Sequence, residues 1–113
     1  MKIQVNTDNH IQGSAELTRQ VEAVVQSALD RFSDRITRVE VHFSDENSSQ
    51  KGGDNDKRCV MEARLAGLSP ITVSHHGAAV EQALTGAADT LEKTLKRTLE
   101  REDSLSRRTT LDD

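Results

Sequence analysis

AAVEQALTGAADTLEKTLKRTLER, residues 78–101, decides how this chain folds. Val80, Leu84, Ala87, Ala88, Leu91, Leu95 and Leu99 recur at the three- and four-residue steps that gather side chains on one side of an α-helix. One face of this helix is therefore predicted to be buried. Advancing about 100° per residue from Leu91, Lys93, Lys96, Arg97 and Arg101 fall on the opposite and flanking surface, a basic ridge turned to solvent. Asp89 with Lys93, and Glu92 with Lys96, have the four-residue spacing of ordinary helix ion pairs. The ridge thus admits two readings, a solvated face held by such pairs or a binding surface.

The spacing of Val80 to Leu95 has a counterpart upstream in Leu17, Val21, Val24, Val25, Ala28 and Phe32, which predicts a second amphipathic helix. Ser14 can cap it, and Glu16 in its first turn suits the positive end of the helix dipole. Two such stripes need a common apolar surface, and the remaining periodic segments supply one. Lys2–Asn6 alternates with Ile3 and Val5 on one side. Ile36–Ser44 alternates Val39, Val41 and Phe43 against Arg38, Glu40 and His42. Lys57–Ala66 carries Cys59, Met61, Ala63 and Leu65 inward, and Ile71–Ser74 carries Ile71 and Val73. The order β-α-β-β-β-α predicts an α+β fold: a four-stranded mixed sheet in sequential order with both helices on one face. The other face is predicted to be polar, with Arg38, Glu40, His42, Arg58, Glu62, Arg64, Thr72 and Ser74. Like charges directly opposed across strands are unfavourable, so Glu40 is expected opposite Arg64 and His42 opposite Glu62.

At 113 residues the chain is expected to form one domain, residues 1–101, followed by an aperiodic, flexible tail, residues 102–113. Residues 45–56, DENSSQKGGDND, contain no apolar side chain and are expected to form a mobile loop. The core must come from Val, Leu, Ile and Ala, since there are two Phe and no Trp or Tyr. Net charge is −4, yet residues 93–108 hold six Lys and Arg against three Asp and Glu, so basic character is concentrated near the end. A single cysteine, Cys59, excludes an internal disulfide and fits a reducing cytoplasm. No signal-like leader and no membrane-length apolar run are visible, so no membrane association is expected.

No Gly-rich phosphate loop, nucleophile elbow or zinc-protease helix motif occurs, so no enzymatic activity, cofactor or small-molecule substrate is expected. Strand alternation sends His42 and Cys59 to opposite faces and separates His75 from His76, which argues against a metal site. Cys59 reads as a small core residue. His76 and Gly77, at a predicted helix start, carry a weaker phosphate-binding reading. Without an exposed aromatic platform for stacking, nucleic-acid contact has to rest on phosphate charge, backbone and shape.

Three strings in order carry a family resemblance: the helix entry Ile11–Leu17, the helix-to-strand junction FSDRITRVEV (Phe32–Val41), and the basic LEKTLKR (Leu91–Arg97). Over about residues 1–101 the chain resembles the bacterial ribosome hibernation-promoting and ribosome-associated inhibitor proteins, in their short form. The resemblance implies a stress-related cytoplasmic factor that binds the small ribosomal subunit between head and body, blocks tRNA and mRNA sites, and represses translation. It implies rRNA phosphate contacts at Lys93, Lys96, Arg97 and Arg101, with Lys57, Arg58 and Arg64 as further candidates. It also implies no ribosome pairing through the dimerisation domain of the long form. Where that family usually has an Asp, Met, Tyr run this chain has Ala79, Val80 and Glu81, and Thr90 replaces a basic residue. The alternative reading is a protein-interaction or regulatory module on the same fold.

Overall fold

The computed structural model of the chain describes residues 1–8, 11, 13–45 and 57–111. Its elements run β1 (Lys2–Thr7), α1 (Ala15–Leu29), a 3₁₀ turn (Asp30–Phe32), β2 (Ile36–Asp45), β3 (Lys57–Leu65), β4 (Ile71–Gly77) and α2 (Val80–Leu111). The sheet order is β1-β2-β3-β4, with β1 parallel to β2 and the other two pairs antiparallel. This is the α+β architecture expected from the periodicities. The anticipated mobile run lies, apart from Asp45, outside the described residues.

Local chemistry sets the junctions. The Ser14 hydroxyl accepts from the Leu17 amide at 3.0 Å, satisfying one of the free donors at the start of α1. Gly67 turns β3 into β4 at φ +77°, a conformation that costs glycine little. Asp8 fastens the start of the β1–α1 connection to the end of β2, accepting from the Ile11 and Asp45 amides, both at 3.1 Å.

Both helices lie on one side of the sheet, in contact with each other. Val21, Val25 and Leu29 of α1 and Leu84, Leu91, Leu95 and Leu99 of α2 pack with Val39, Val41, Phe43, Cys59, Met61 and Ala63 in one buried cluster. Leu17, Val24, Ala28 and Phe32 of the expected α1 stripe are only half-buried, whereas Leu29 is fully enclosed. The turn tightens after Leu29, so Phe32 arrives on the 3₁₀ segment with the Arg31 guanidinium 4.7 Å over its ring.

Two expectations need correction. The ladder pairs Glu40 with Glu62 and Arg38 with Arg64, rather than Glu40 with Arg64 and His42 with Glu62. On the buried face the same register sets Val39 against Ala63, Val41 against Met61 and Phe43 against Cys59, and this apolar fit decides. The charges accommodate it through one pair along each strand and one diagonal pair between them. Arg38 Nη2 is 3.1 Å from Glu40 Oε1, and Arg64 Nε lies 3.6 Å from Glu40 Oε2 and 3.3 Å from Glu62 Oε1. Second, α2 continues from Arg101 to Leu111. Residues 102–111 contain no Gly or Pro to stop a helix. Arg35 Nη1 meets Asp103 Oδ1 at 3.4 Å.

Candidate nucleic-acid interface

Leu84, Leu91 and Leu95, all fully buried, fix the rotation of α2 about its axis and so determine what it shows to solvent. The Lys93 side chain is 72% exposed, and its ammonium lies 3.1 Å from Asp89 Oδ2, the expected four-residue pair. The other expected pair does not form. Glu92 instead reaches Arg31, with 3.9 Å between Oε2 and Nη2. Lys96, Arg97 and Arg101 are exposed and take part in no ion pair among the described residues. From Lys93 to Arg101 the ridge extends about 12 Å along the helix at about 1.5 Å per residue.

The other three candidates stand elsewhere. Lys57, on the helix-facing side at the sheet's end, donates to Asp45 Oδ2 at 3.0 Å. It lines a cleft of about 330 Å³ with Ile11, Leu17, Gln20, Val80 and Glu81. Arg58 and Arg64 lie on the open sheet face, Arg58 opposite Ser44 and His76, Arg64 held by Glu40 and Glu62. The structure therefore gathers Lys93, Lys96, Arg97 and Arg101 on one helix and disperses Lys57, Arg58 and Arg64.

On the open face, Arg38 also donates to Gln4 Oε1 at 2.9 Å, and the Thr72 hydroxyl donates to Glu62 Oε2 at 3.5 Å. The Arg38 hydrogen bond, opposed by partial desolvation and aided by the Arg38 and Arg64 charges, holds the Glu40 carboxyl below the usual carboxylate range. These four charged groups neutralise one another and leave little net field at that end of the sheet.

Cys59 is fully buried, and burial pushes its thiol up to about 12, so it is a core residue and not a nucleophile. His42 is exposed on the face opposite Cys59. Among the described residues no group of three or more His, Cys, Asp or Glu is placed to hold a metal ion. The helix start after His76 and Gly77 is closed internally, the Ala78 amide donating to Gln82 Oε1 at 3.0 Å. His75 was weighed in the sequence only as a metal ligand, and its packing against α2 was missed. It lies opposite Cys59 in the ladder, and its ring occupies the space where a Cβ on Gly86 would fall. Inward alternation of Ile71, Val73 and His75, with Gly86 as the gap in α2, was the available signal.

The family model for Sigma 54 modulation protein / S30EA ribosomal protein matches residues 3–103. The fold is similar to the crystal structure of the Thermus thermophilus Protein Y N-terminal domain, at 23% identity and a TM-score of 0.69, covering 87% of this chain and 99% of that one. It is also similar to a ribosomal subunit interface protein from Coxiella burnetii, at 18% identity and a TM-score of 0.65, covering 88% and 99%. At these identities the two structures establish a shared fold. Comparison with curated proteins gives no match.

Proposed function

The chain belongs to the Sigma 54 modulation protein / S30EA ribosomal protein family, and from that membership we propose that it is a non-catalytic ribosome-associated factor of the cytoplasm. It occupies the small subunit through rRNA phosphates and represses translation by steric occlusion during stress. The observation that carries this reading is the ridge. In a chain of net charge −4, Lys96, Arg97 and Arg101 stand exposed on one helix with no carboxylate partner among the described residues. Cations left in that state suit a polyanion, and phosphates are the polyanion of the ribosome.

Lys93 joins them by exchanging Asp89 for a phosphate, an exposed pair that costs little to break. Lys57, Arg58 and Arg64 are secondary contacts, with Arg64 the weakest because two carboxylates already hold it. The contacting unit is the single domain of residues 1–101. Because the family also carries the description of a sigma 54 modulation protein, regulation through a protein partner is the competing reading. No described helix is long and apolar enough to cross a membrane.

Sedimentation of the protein with ribosomes tests the proposal. Phosphate contacts release condensed counterions, so binding at low salt is expected to fall steeply as salt rises. Association that is indifferent to salt would point to a protein interface, and no association under any growth condition would overturn the reading.

A further inference from the structure

Stacking of a nucleobase needs a flat ring with one free face, and the chain has no Trp or Tyr to supply it. Phe43 is buried, and the Arg31 guanidinium covers the half-buried Phe32 ring. Among the described residues the exposed rings are those of His42, His75 and His76. His42 and His76 alternate to the open sheet face, whereas His75 alternates to the helix side with Ile71 and Val73.

Gly86 of α2 fixes how the His75 ring lies. A Cβ built on Gly86 would come close to Cγ, Cδ2 and Nε2 of His75 at once. A point beside the ring edge comes that near to two of these atoms at most, so the Cβ position lies over the face of the ring. The ring therefore rests flat on α2 at the one place on this flank where the helix has no side chain. One face is closed by Gly86, the other is turned away from the helix, and the residue as a whole is exposed. Held between strand and helix, the ring loses little freedom when a planar group settles on its outer face.

The border of the ring is polar and uncharged. Gln82 and Thr90 stand about one helical turn before and after Gly86, both exposed. Gln82 lies against the end of β4, since a Cβ on Gly77 would meet the Gln82 Cβ at 2.8 Å. Its Oε1 accepts from the Ala78 amide, so its NH2 can donate outward. Thr90 Oγ1 donates to the Gly86 carbonyl at 2.9 Å, so its oxygen can accept. Lys93 returns to within roughly 20° of the Gly86 direction about 10 Å further along the axis. Asp89 shares that flank, and its carboxylate is occupied by Lys93 at 3.1 Å.

We propose that His75 is a stacking platform for one unpaired base of a single-stranded RNA segment, with the Gln82 amide and the Thr90 hydroxyl at the base edge. A base brings a flat π face for the ring, a rim of donors and acceptors for two uncharged polar groups, and phosphates for the ridge. An apolar ring from a protein partner matches the face alone. The inference rests on the proposed phosphate contacts of α2 and goes beyond them, because charge alone reads no base.

NMR of the full chain with two synthetic oligoribonucleotides of equal length and charge tests it, one an oligoadenylate and one whose sugars carry no bases. Oligoadenylate is expected to move the His75 ring protons upfield through the ring current of the base, and the abasic strand is expected to shift only the amides of the ridge. His75→Leu covers Gly86 without an aromatic ring. It is expected to weaken oligoadenylate roughly tenfold and to leave the abasic strand unaffected, with His75→Phe restoring the tighter binding. If His75→Leu does not fold, the ring-proton shift on the parent chain decides. Equal affinity for the two strands with the His75 protons unmoved overturns stacking and leaves the phosphate contacts standing. Equal losses in the Leu and Phe variants overturn it too, since they assign the effect to the imidazole nitrogens. Binding of neither strand overturns both readings.

Discussion

Glu40 stands directly opposite Glu62 in the β2/β3 ladder, and both are held by Arg64, with Arg38 closing the group on the Glu40 side. Apolar register on the buried face imposes this like-charged pair, and ion pairs along and across the two strands make it tolerable. Glu40, with a side chain 16% exposed, bridges both arginines. Glu40→Gln is therefore expected to lower the melting temperature more than Glu62→Gln, with the difference shrinking as salt rises. Because the folded-state pKa of Glu40 is depressed, its stabilisation is present above its unfolded pKa and is lost as pH falls through the folded value. Melts from neutral to acid pH are expected to show this loss in the parent and not in Glu40→Gln.

Gly86 and His75 form a second coupled pair. Alanine is preferred to glycine within a helix by about 1 kcal/mol. In this chain Gly86→Ala alone is expected to lose that gain, because the new Cβ meets the His75 ring. In a His75→Ala background the gain is expected to return. A double-mutant cycle by urea unfolding measures the coupling, and additive effects would show that the ring does not constrain α2.

Burial of Cys59 leads to a separate expectation. The folded thiol stays protonated up to about 12, whereas an unfolded thiol ionises near its ordinary value of about 8.5. The contribution of this group is present below the unfolded pKa and declines as pH rises from there toward the folded value. The native protein is expected to resist thiol reagents and to react only on unfolding. Labelling of the native state at the rate of a free thiol would contradict the packing around Cys59.

The two halves of α2 should respond differently to truncation. Leu91→Ala removes a fully buried side chain and is expected to cost about 2–5 kcal/mol. Leu105, 46% exposed on the extension, is expected to tolerate alanine within about 0.5 kcal/mol. Chemical denaturation of both variants checks the contrast.

Most of the fold was legible because the apolar periods are clean: Leu84, Leu91 and Leu95 define one helix, and Val39, Val41 and Phe43 define a strand. What escaped depended on weighing competing terms. Surface charge suggested a register that Val41 against Met61 overrules, since burying a side chain counts for more than an exposed pair. Helix beyond Arg101 was missed because periodicity reports burial, and Asp103, Ser104 and Leu105 in its continuation are exposed. β4 extends through His75 to Gly77, past the predicted end at Ser74, as polar residues at a sheet edge look like loop. At the candidate site, one helix's ridge was readable from spacing, but the dispersal of Lys57, Arg58 and Arg64 required the sheet's two faces.

Ribosome binding by a variant in which Lys93, Arg97 and Arg101 are all changed to Glu probes the ridge most directly. These side chains lie outside the core, so the fold is expected to survive with a change within about 0.5 kcal/mol per site. Co-sedimentation with ribosomes at low salt is expected to be lost. Single substitutions that retain binding are each expected to flatten the double-logarithmic salt slope by up to roughly one unit. A folded triple variant that sediments with ribosomes as the parent does, with the same salt slope, would contradict phosphate recognition by α2.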